Sequence, residues 1–147
     1  MINLISDSDI FLSNAPYLIN PVNTIGVPPK GDISVLFKQK FPNNFRFYTS
    51  KCVNGLFKIG DLIVFNDRTK NIINFPTKDH FKGHVTLDWL ESGMVSLRNL
   101  VLNENIPHVA FPIMDTQMPL NDFKNLIDGY LGDLNIQIDI HTQGLIQ

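Results

Sequence analysis

The chain has 147 residues, of which 44% are hydrophobic and 18% charged, and a formal net charge of −2 at pH 7. This length and composition are typical of a single globular domain spanning residues 1–147, and they exclude a disordered chain. The net charge argues against broad nucleic-acid binding, which needs a basic face, and the single cysteine excludes an internal disulfide.

The location of the protein is predicted from what the sequence lacks. Met1–Asp9 has no cationic lead and no long apolar stretch, so we expect no signal peptide. No apolar run approaches the roughly eighteen residues of a membrane span. We therefore expect a cytoplasmic protein, and Asn, Ile and Lys are abundant enough to suggest an AT-rich genome, such as that of a phage or a low-GC bacterium.

Short β-rich runs alternate with longer helical patterns along the chain. Strands are predicted over residues 1–5, 17–22, 61–65, 71–75, 108–113 and 136–141, and helices over 33–41, 44–53, 86–105 and 121–131. This alternation predicts an α/β fold with three layers, α/β/α, around a mixed, largely parallel sheet of about six strands. Ligands of such folds bind at the carboxyl ends of the strands, which here lead into residues 23–32, 76–84 and 114–120.

The first of these loops, within Asn20-Pro-Val-Asn-Thr-Ile-Gly-Val-Pro-Pro-Lys-Gly31, joins a strand to a helix. Glycine allows a ligand to approach the backbone, and a helix N-terminus attracts anions. The loop alone is a weak signal, because most strand–loop–helix joints bind nothing.

The second loop, Pro76–His84, is polar and basic. A lysine near an apolar wall can have a lowered pKa and act as a nucleophile or a base, whereas the commoner interpretation is a solvated loop. His80 and His84 have the spacing of metal ligands only on a helix, which Pro76 and Gly83 disfavour, so no metal site is expected. Cys52 lies in a helical pattern and is interpreted as a packing residue.

Three segments in this order resemble a macrodomain, the ADP-ribose-binding fold, over about Ile2–Thr142. They are Ile19–Val27 with Lys30-Gly31, then Val35–Pro42, and above all Ile72-Ile-Asn-Phe-Pro-Thr-Lys78. The last is typical of two branches, the antitoxin macrodomain that removes ADP-ribose from thymidine in DNA and the terminal ADP-ribose protein glycohydrolase.

The resemblance implies roles for particular residues. Lys78 matches the catalytic lysine that works at the anomeric carbon of the distal ribose, Asn23 would contact that ribose, and Asp115 is a candidate acid or base. The implied ligand-binding residues are Asp9, Ile10, Asn20, Gly26, Val27, Lys30, Gly31, Thr77, His80, Thr116 and His141. Of these, Asp9, Ile10 and His141 would contact the adenine. No cofactor is implied.

The chain departs from the family pattern at two loops. Pro28 and Pro29 lack N–H donors, and Asp32 stands near a position that the family keeps as glycine. Met114–Pro119 has no glycine, although relatives wrap the phosphates with a glycine-rich segment there. Asp115 does not align with the catalytic aspartate of the protein glycohydrolase branch.

Three hypotheses follow for function. The first is an ADP-ribosyl glycohydrolase acting on an ADP-ribosylated DNA base or protein side chain. The second is a binder that holds ADP-ribose or a related signalling nucleotide without turnover, for instance in phage counter-defence. The third is a degenerate macrodomain that serves as a protein-interaction surface. The expected partner in the first two is ADP-ribose or an ADP-ribosylated substrate, with no membrane.

Overall fold

The computed structural model describes residues 1–6 and 8–142. The strands are β1 (Ile2–Ile5), β2 (Tyr17–Asn23), β3 (Ile63–Asp67), β4 (Lys70–Lys78), β5 (His108–Pro112) and β6 (Gln137–His141). The helices are α1 (Ile33–Lys40), α2 (Pro42–Val53), α3 (Leu87–Glu104) and α4 (Leu120–Leu131), with a short 3₁₀ turn at Ile10–Leu12. No helix in these two ranges is long and apolar enough to cross a membrane.

The six strands form one sheet in the order β1-β6-β5-β2-β4-β3. Every neighbouring pair is parallel except β3 with β4. The predicted mixed, largely parallel sheet is therefore confirmed. Parallel strands need crossover connections, which here bring the helices onto the sheet.

Alternating residues of the strands supply two hydrophobic cores, one on each face of the sheet. Leu18 and Ile72 pack with Phe37 of α1, whereas their neighbours Ile19 and Ile73 pack with the cluster that α3 and α4 cover. A buried parallel sheet has apolar side chains on both faces for this reason. The three-layer α/β/α arrangement is confirmed.

The longest helix begins where the sequence predicts it. The hydroxyl of Thr86 accepts a hydrogen bond from the Trp89 N–H at 3.3 Å, which caps the first turn of α3. The residues that recur at helical spacing are all buried: Leu90, Met94, Leu97 and Val101. The helix ends at Glu104, and Asn105 follows in the left-handed conformation with φ 51°.

The strand predicted over 61–65 lies two residues later, at Ile63–Asp67, and two boundaries predicted at a proline are wrong. The sequence predicts a break at Pro42 and a helix from Asn44, but Pro42 is the first residue of α2. Proline is tolerated there because the N–H of the first helical residue makes no hydrogen bond within the helix. The sequence also predicts a loop from Pro76, but β4 continues through Pro76 to Lys78. Pairing with β3 stops at Asn74, so β4 has a neighbour on one side only at Pro76, and a proline is tolerated.

Candidate functional site

A cleft of about 350 Å³ lies at the carboxyl ends of β2, β4 and β5. It is lined by residues 21–23 and 29–34 from β2 and the loop leading into α1, by 77–78 and 83–85 after β4, and by 113–117 after β5. All three loops that the sequence singled out contribute to it. Of the predicted site residues it brings together Asn23, Lys30, Gly31, Thr77, Lys78, Asp115 and Thr116.

Lys78 and Asn23 lie side by side in this cleft. They are register partners at the ends of β4 and β2, and the Thr24 N–H donates to the Lys78 carbonyl at 3.0 Å, which ties the two strand ends together. Lys78 is partly exposed. Neither of the ion pairs found in the described part of the chain involves its ammonium group. Its amine is therefore available to a ligand in the cleft.

The side chain of Asn23 organises the loop that follows it. Its Oδ1 accepts hydrogen bonds from the N–H groups of Ile25, Gly26 and Val27 at 3.0–3.3 Å, and its Nδ2 donates to the Val27 carbonyl at 2.7 Å. Gly26 has φ +83°, which a residue with a Cβ adopts only with strain. Asn23 is only 2% exposed, so its main observed role is to fix the shape of this cleft wall.

Tyr48 of α2 holds Asn23 from beneath the cleft. Its hydroxyl donates to the Asn23 carbonyl at 2.6 Å and to Oδ1 at 3.1 Å, and burial raises the pKa of this hydroxyl. Burial also raises the pKa of the neighbouring Cys52 thiol to about 11. A thiol with that pKa is protonated at neutral pH, which agrees with the interpretation of Cys52 as a packing residue.

The N-terminus of α1 opens onto the cleft, but a carboxylate of the chain already caps it. Asp32 Oδ1 accepts hydrogen bonds from the N–H of Ser34 at 3.0 Å and from its hydroxyl at 3.1 Å. The cap occupies a helix N–H and brings a negative charge to the end where an anionic ligand is expected. Lys30 lies two residues before it and lines the same wall.

The loop after β5 is a compact turn along the opposite side of the cleft. Asp115 Oδ1 accepts the Gln117 N–H at 2.9 Å, and the Asp115 carbonyl accepts the Met118 N–H at 3.2 Å. Met114 is buried, whereas Thr116 and Gln117 are not. Asp115 therefore reaches the cleft, with one carboxylate oxygen already engaged by the turn.

Several predicted site residues do not line the cleft. Asn20 is 3% exposed and its amide donates to Asn74 Oδ1 at 3.2 Å on the α1 and α2 side of the sheet. Gly26 and Val27 belong to the loop that Asn23 organises but lie outside the lining. His80 is exposed on the turn after β4.

The three residues expected to contact adenine lie elsewhere, near the end of β6 and the first loop of the chain. Asp9 caps the 3₁₀ turn by accepting the Phe11 N–H at 3.0 Å, and Ile10 is 1% exposed in a hydrophobic core. His141 ends β6, where its Nδ1 lies 3.2 Å from the Ser8 carbonyl oxygen. Its buried Nε2 has no hydrogen-bond partner among residues 1–6 and 8–142.

Sequence reasoning missed three polar residues that line the cleft: Ser34, His84 and Gln117. The pattern Asp-x-Ser at the start of a helix was an available signal for Ser34, since aspartate is a preferred N-cap residue. For His84 and Gln117 the sequence carries no such signal.

The sheet order and the cleft at the strand ends define a three-layer α/β domain with a polar candidate ligand site. The chain belongs to the Macro domain family, whose family model matches residues 19–125. The matched range contains all three loops that line the cleft.

The curated proteins that are similar to this chain are named for one activity, DNA ADP-ribosyl glycohydrolysis. A DNA ADP-ribosyl glycohydrolase of Mycobacterium tuberculosis is 35% identical over 108 residues, which cover 71% of this chain and 30% of that protein. The chain thus spans less than a third of the length of this curated relative. Among solved structures, the macrodomain of Thermus aquaticus DarG matches with a TM-score of 0.88 and 25% identity over 97% of this chain and 98% of that one. The macrodomain of Mycobacterium tuberculosis DarG matches with a TM-score of 0.87 and 28% identity over 96% and 97%.

Proposed function

We propose that this protein is an ADP-ribosyl glycohydrolase that releases ADP-ribose from a modified base in DNA. The observation that carries the proposal is the amine of Lys78 at the end of β4, which lies beside Asn23 in the cleft and outside both ion pairs of the described residues. The name of the relatives, DNA ADP-ribosyl glycohydrolase, supports DNA as the substrate in preference to an ADP-ribosylated protein side chain.

The proposed reaction exchanges one bond at the distal ribose for another. The bond from the anomeric carbon to the base nitrogen breaks, a water oxygen bonds to that carbon, and the water's proton goes to the departing nitrogen. An amine at this point acts either as a base toward the water or as a nucleophile that water later displaces. The nucleophile role places the Lys78 nitrogen against the anomeric carbon, whereas the base role places it against the attacking water, one molecule away from that carbon.

The rest of the ligand would run along the α1 side of the cleft. Lys30 and the backbone at Gly31 are proposed to hold the diphosphate, because a lysine and exposed N–H groups at a helix start suit phosphate oxygens. Thr77 and Thr116 flank this path from the other walls. Asp9, Ile10 and His141 stay proposed as the adenine contacts, beyond the cleft itself.

The test is hydrolysis of an ADP-ribosylated single-stranded oligonucleotide by wild type and by Lys78→Ala. We expect wild type to release ADP-ribose and Lys78→Ala to lose at least about a hundredfold in rate, the lower range for a removed acid–base group. Lys40→Ala is the matched control, since it removes an exposed lysine from the last turn of α1. Equal rates for Lys78→Ala and wild type would remove Lys78 from the mechanism.

A second function, retention of ADP-ribose without turnover, is favoured by one observation. The 114–119 loop has no glycine and is closed by its own hydrogen bonds. A binder would give a calorimetric binding signal with intact ADP-ribosylated oligonucleotide recovered afterwards. Steady release of ADP-ribose excludes it, and no heat of binding at millimolar ADP-ribose excludes both functions in favour of a protein-interaction surface.

A further inference from the structure

The turn after β4 carries an exposed aromatic and cationic group at the mouth of the cleft. It is formed by His80, Phe81 and Lys82, here called the tip. Two hydrogen bonds fix its shape: the Gly83 N–H donates to the His80 carbonyl at 3.0 Å, and the Lys82 N–H donates to His80 Nδ1 at 3.1 Å. The tip is thus a folded turn with a defined geometry.

The side chains of the tip stack on one another. The rings of His80 and Phe81 lie 4.5 Å apart with 26° between their planes, and the Lys82 ammonium is 5.6 Å from the Phe81 ring centre. His80 and Lys82 are exposed and Phe81 is half-buried. Phe81 belongs to none of the hydrophobic core clusters of the described residues, so its position is not explained by core packing.

The tip is joined directly to the cleft at both of its ends. Lys78 precedes His80 by two residues, a separation that a chain spans in at most about 7 Å. On the other side, Gly83 and His84 line the cleft themselves. A substrate held with its reacting carbon at Lys78 would therefore pass the tip as it leaves the cleft.

We infer that the tip contacts the nucleotide next to the modified base in single-stranded DNA. This inference rests on the proposed function. A base whose glycosidic substituent lies in the cleft must be out of the duplex stack, which leaves its neighbour unstacked as well. Aromatic faces that receive a base, with a cation for the adjacent phosphate, are the usual contacts of single-stranded nucleic acid.

The charges around the tip limit this contact to one or two nucleotides. Asp79 directly precedes it, and the whole chain has a net charge of −2. Such a surface does not bind long strands on its own. An ADP-ribosylated peptide offers neither a regular phosphate nor a flat base to the stack, so DNA is the occupant that the tip fits.

The experiment compares two substrates with the same modified base. One is ADP-ribosylated thymidine monophosphate, a single nucleotide, and the other carries the same modified base within a single strand of about ten nucleotides, a length within the range one binding site covers. For Phe81→Ala we expect kcat/KM to fall about tenfold on the strand, a typical loss for one stacked base. The single nucleotide is expected to be hydrolysed at the wild-type rate.

Lys51 provides a matched control for the charge of Lys82. Lys51 lies 5.4 Å from the Phe47 ring centre, much as Lys82 lies above Phe81, but it does not line the cleft. Added salt should lower kcat/KM on the strand, because it competes with phosphate contacts. Lys82→Ala should reduce the slope of log kcat/KM against log salt concentration by about one phosphate contact. Lys51→Ala removes the same charge and should leave that slope unchanged.

The possible outcomes separate this inference from the proposed function. Equal losses on both substrates would assign the tip to the cleft chemistry and overturn the inference, as would no loss on either. If wild type hydrolyses neither substrate, the proposed function fails. The tip is then tested by binding of the ADP-ribosylated strand to wild type and Phe81→Ala. Unaltered binding, or a loss seen only with an ADP-ribosylated peptide, overturns it.

Discussion

The hydroxyl of Tyr48 donates hydrogen bonds to both the carbonyl oxygen and the side-chain Oδ1 of Asn23, at 2.6 and 3.1 Å. Tyr48 is 2% exposed and belongs to α2, whereas Asn23 ends β2 and accepts hydrogen bonds from three N–H groups of the loop that follows. The position of the cleft wall beside Lys78 therefore depends on a helix that does not itself line the cleft.

Tyr48→Phe should weaken ligand binding as well as stability. The change leaves the Asn23 carbonyl without a buried donor, which costs about 1–3 kcal/mol of unfolding free energy. If the loop shifts as a result, the Kd for ADP-ribose should rise several-fold while the chemical step, measured as kcat on ADP-ribosylated DNA, changes less. Denaturant unfolding and calorimetry give the two quantities.

Tyr130→Phe is the matched control for that variant. The Tyr130 hydroxyl donates to Glu91 Oε2 at 2.6 Å between α4 and α3, away from the cleft. It should lose stability without any change in the Kd for ADP-ribose. Parallel losses of affinity in the two variants would mean that general loosening of the fold, and not the hold on Asn23, governs binding.

The carboxylate of Asp32 should oppose binding of a diphosphate. Asp32→Asn keeps an N-cap side chain and removes the charge from the α1 end of the cleft. We expect ADP-ribose to bind about fivefold more tightly, since one charge at a helix end contributes on the order of 1 kcal/mol. Calorimetry at low salt gives the comparison.

The corresponding control removes a carboxylate from a helix that does not line the cleft. Asp128 is exposed in the last turn of α4. Asp128→Asn should leave the Kd for ADP-ribose unchanged, because Asp128 does not line the cleft. An unchanged Kd for Asp32→Asn would show that the diphosphate does not lie at the start of α1.

Local patterns predicted most of the fold, and long-range contacts account for what they missed. The spacing of Leu90, Met94, Leu97 and Val101 depends only on helical geometry, so α3 was predicted correctly. The continuation of β4 to Lys78 depends on pairing with β2, which lies far earlier in the chain, and Pro76 gave the opposite local signal. A sequence does not display such a pairing.

The same distinction applies to the site. The three loops were identified because strand order brings their starting points to one edge of the sheet. The internal hydrogen bonds of Asn23 and its contact with Tyr48 follow from the docking of α2, which periodicity alone does not specify. The Asp-x-Ser pattern is compatible with a cap by Asp32, but that this cap and Ser34 line the cleft is seen only in three dimensions.

Acid should lower the stability of the fold through a carboxylate at the amino end of the sheet, the end opposite the cleft. Burial raises the pKa of Asp139, but hydrogen bonds from His108, Asn3 and Gln137 outweigh it, so the pKa lies below its usual value of 3.8. A lowered pKa stabilises the fold at pH values above 3.8, and this stabilisation is lost as the pH falls through the folded-state value.

Asp139→Asn tests that source of acid sensitivity. At pH 7 the variant should have a lower urea midpoint than wild type, and the difference should shrink as the pH is taken from about 4 toward 2. The comparison needs urea unfolding curves at several pH values. A constant difference over that range would mean that ionisation of Asp139 does not contribute.

Gly93 and Gly129 should respond to alanine in opposite directions. Gly93 of α3 faces Phe75 of β4, and a Cβ at Gly93 would lie 2.2 Å from Phe75 Cζ. Because both residues are in the core, Gly93→Ala should lose about 2 kcal/mol of unfolding free energy from overpacking, despite alanine's better helix propensity. Gly129 of α4 has open space at its Cβ position, so Gly129→Ala should gain up to about 1 kcal/mol. Thermal and urea unfolding of both variants measure the difference, and a stabilised Gly93→Ala would show that α3 moves away from β4 without loss of packing.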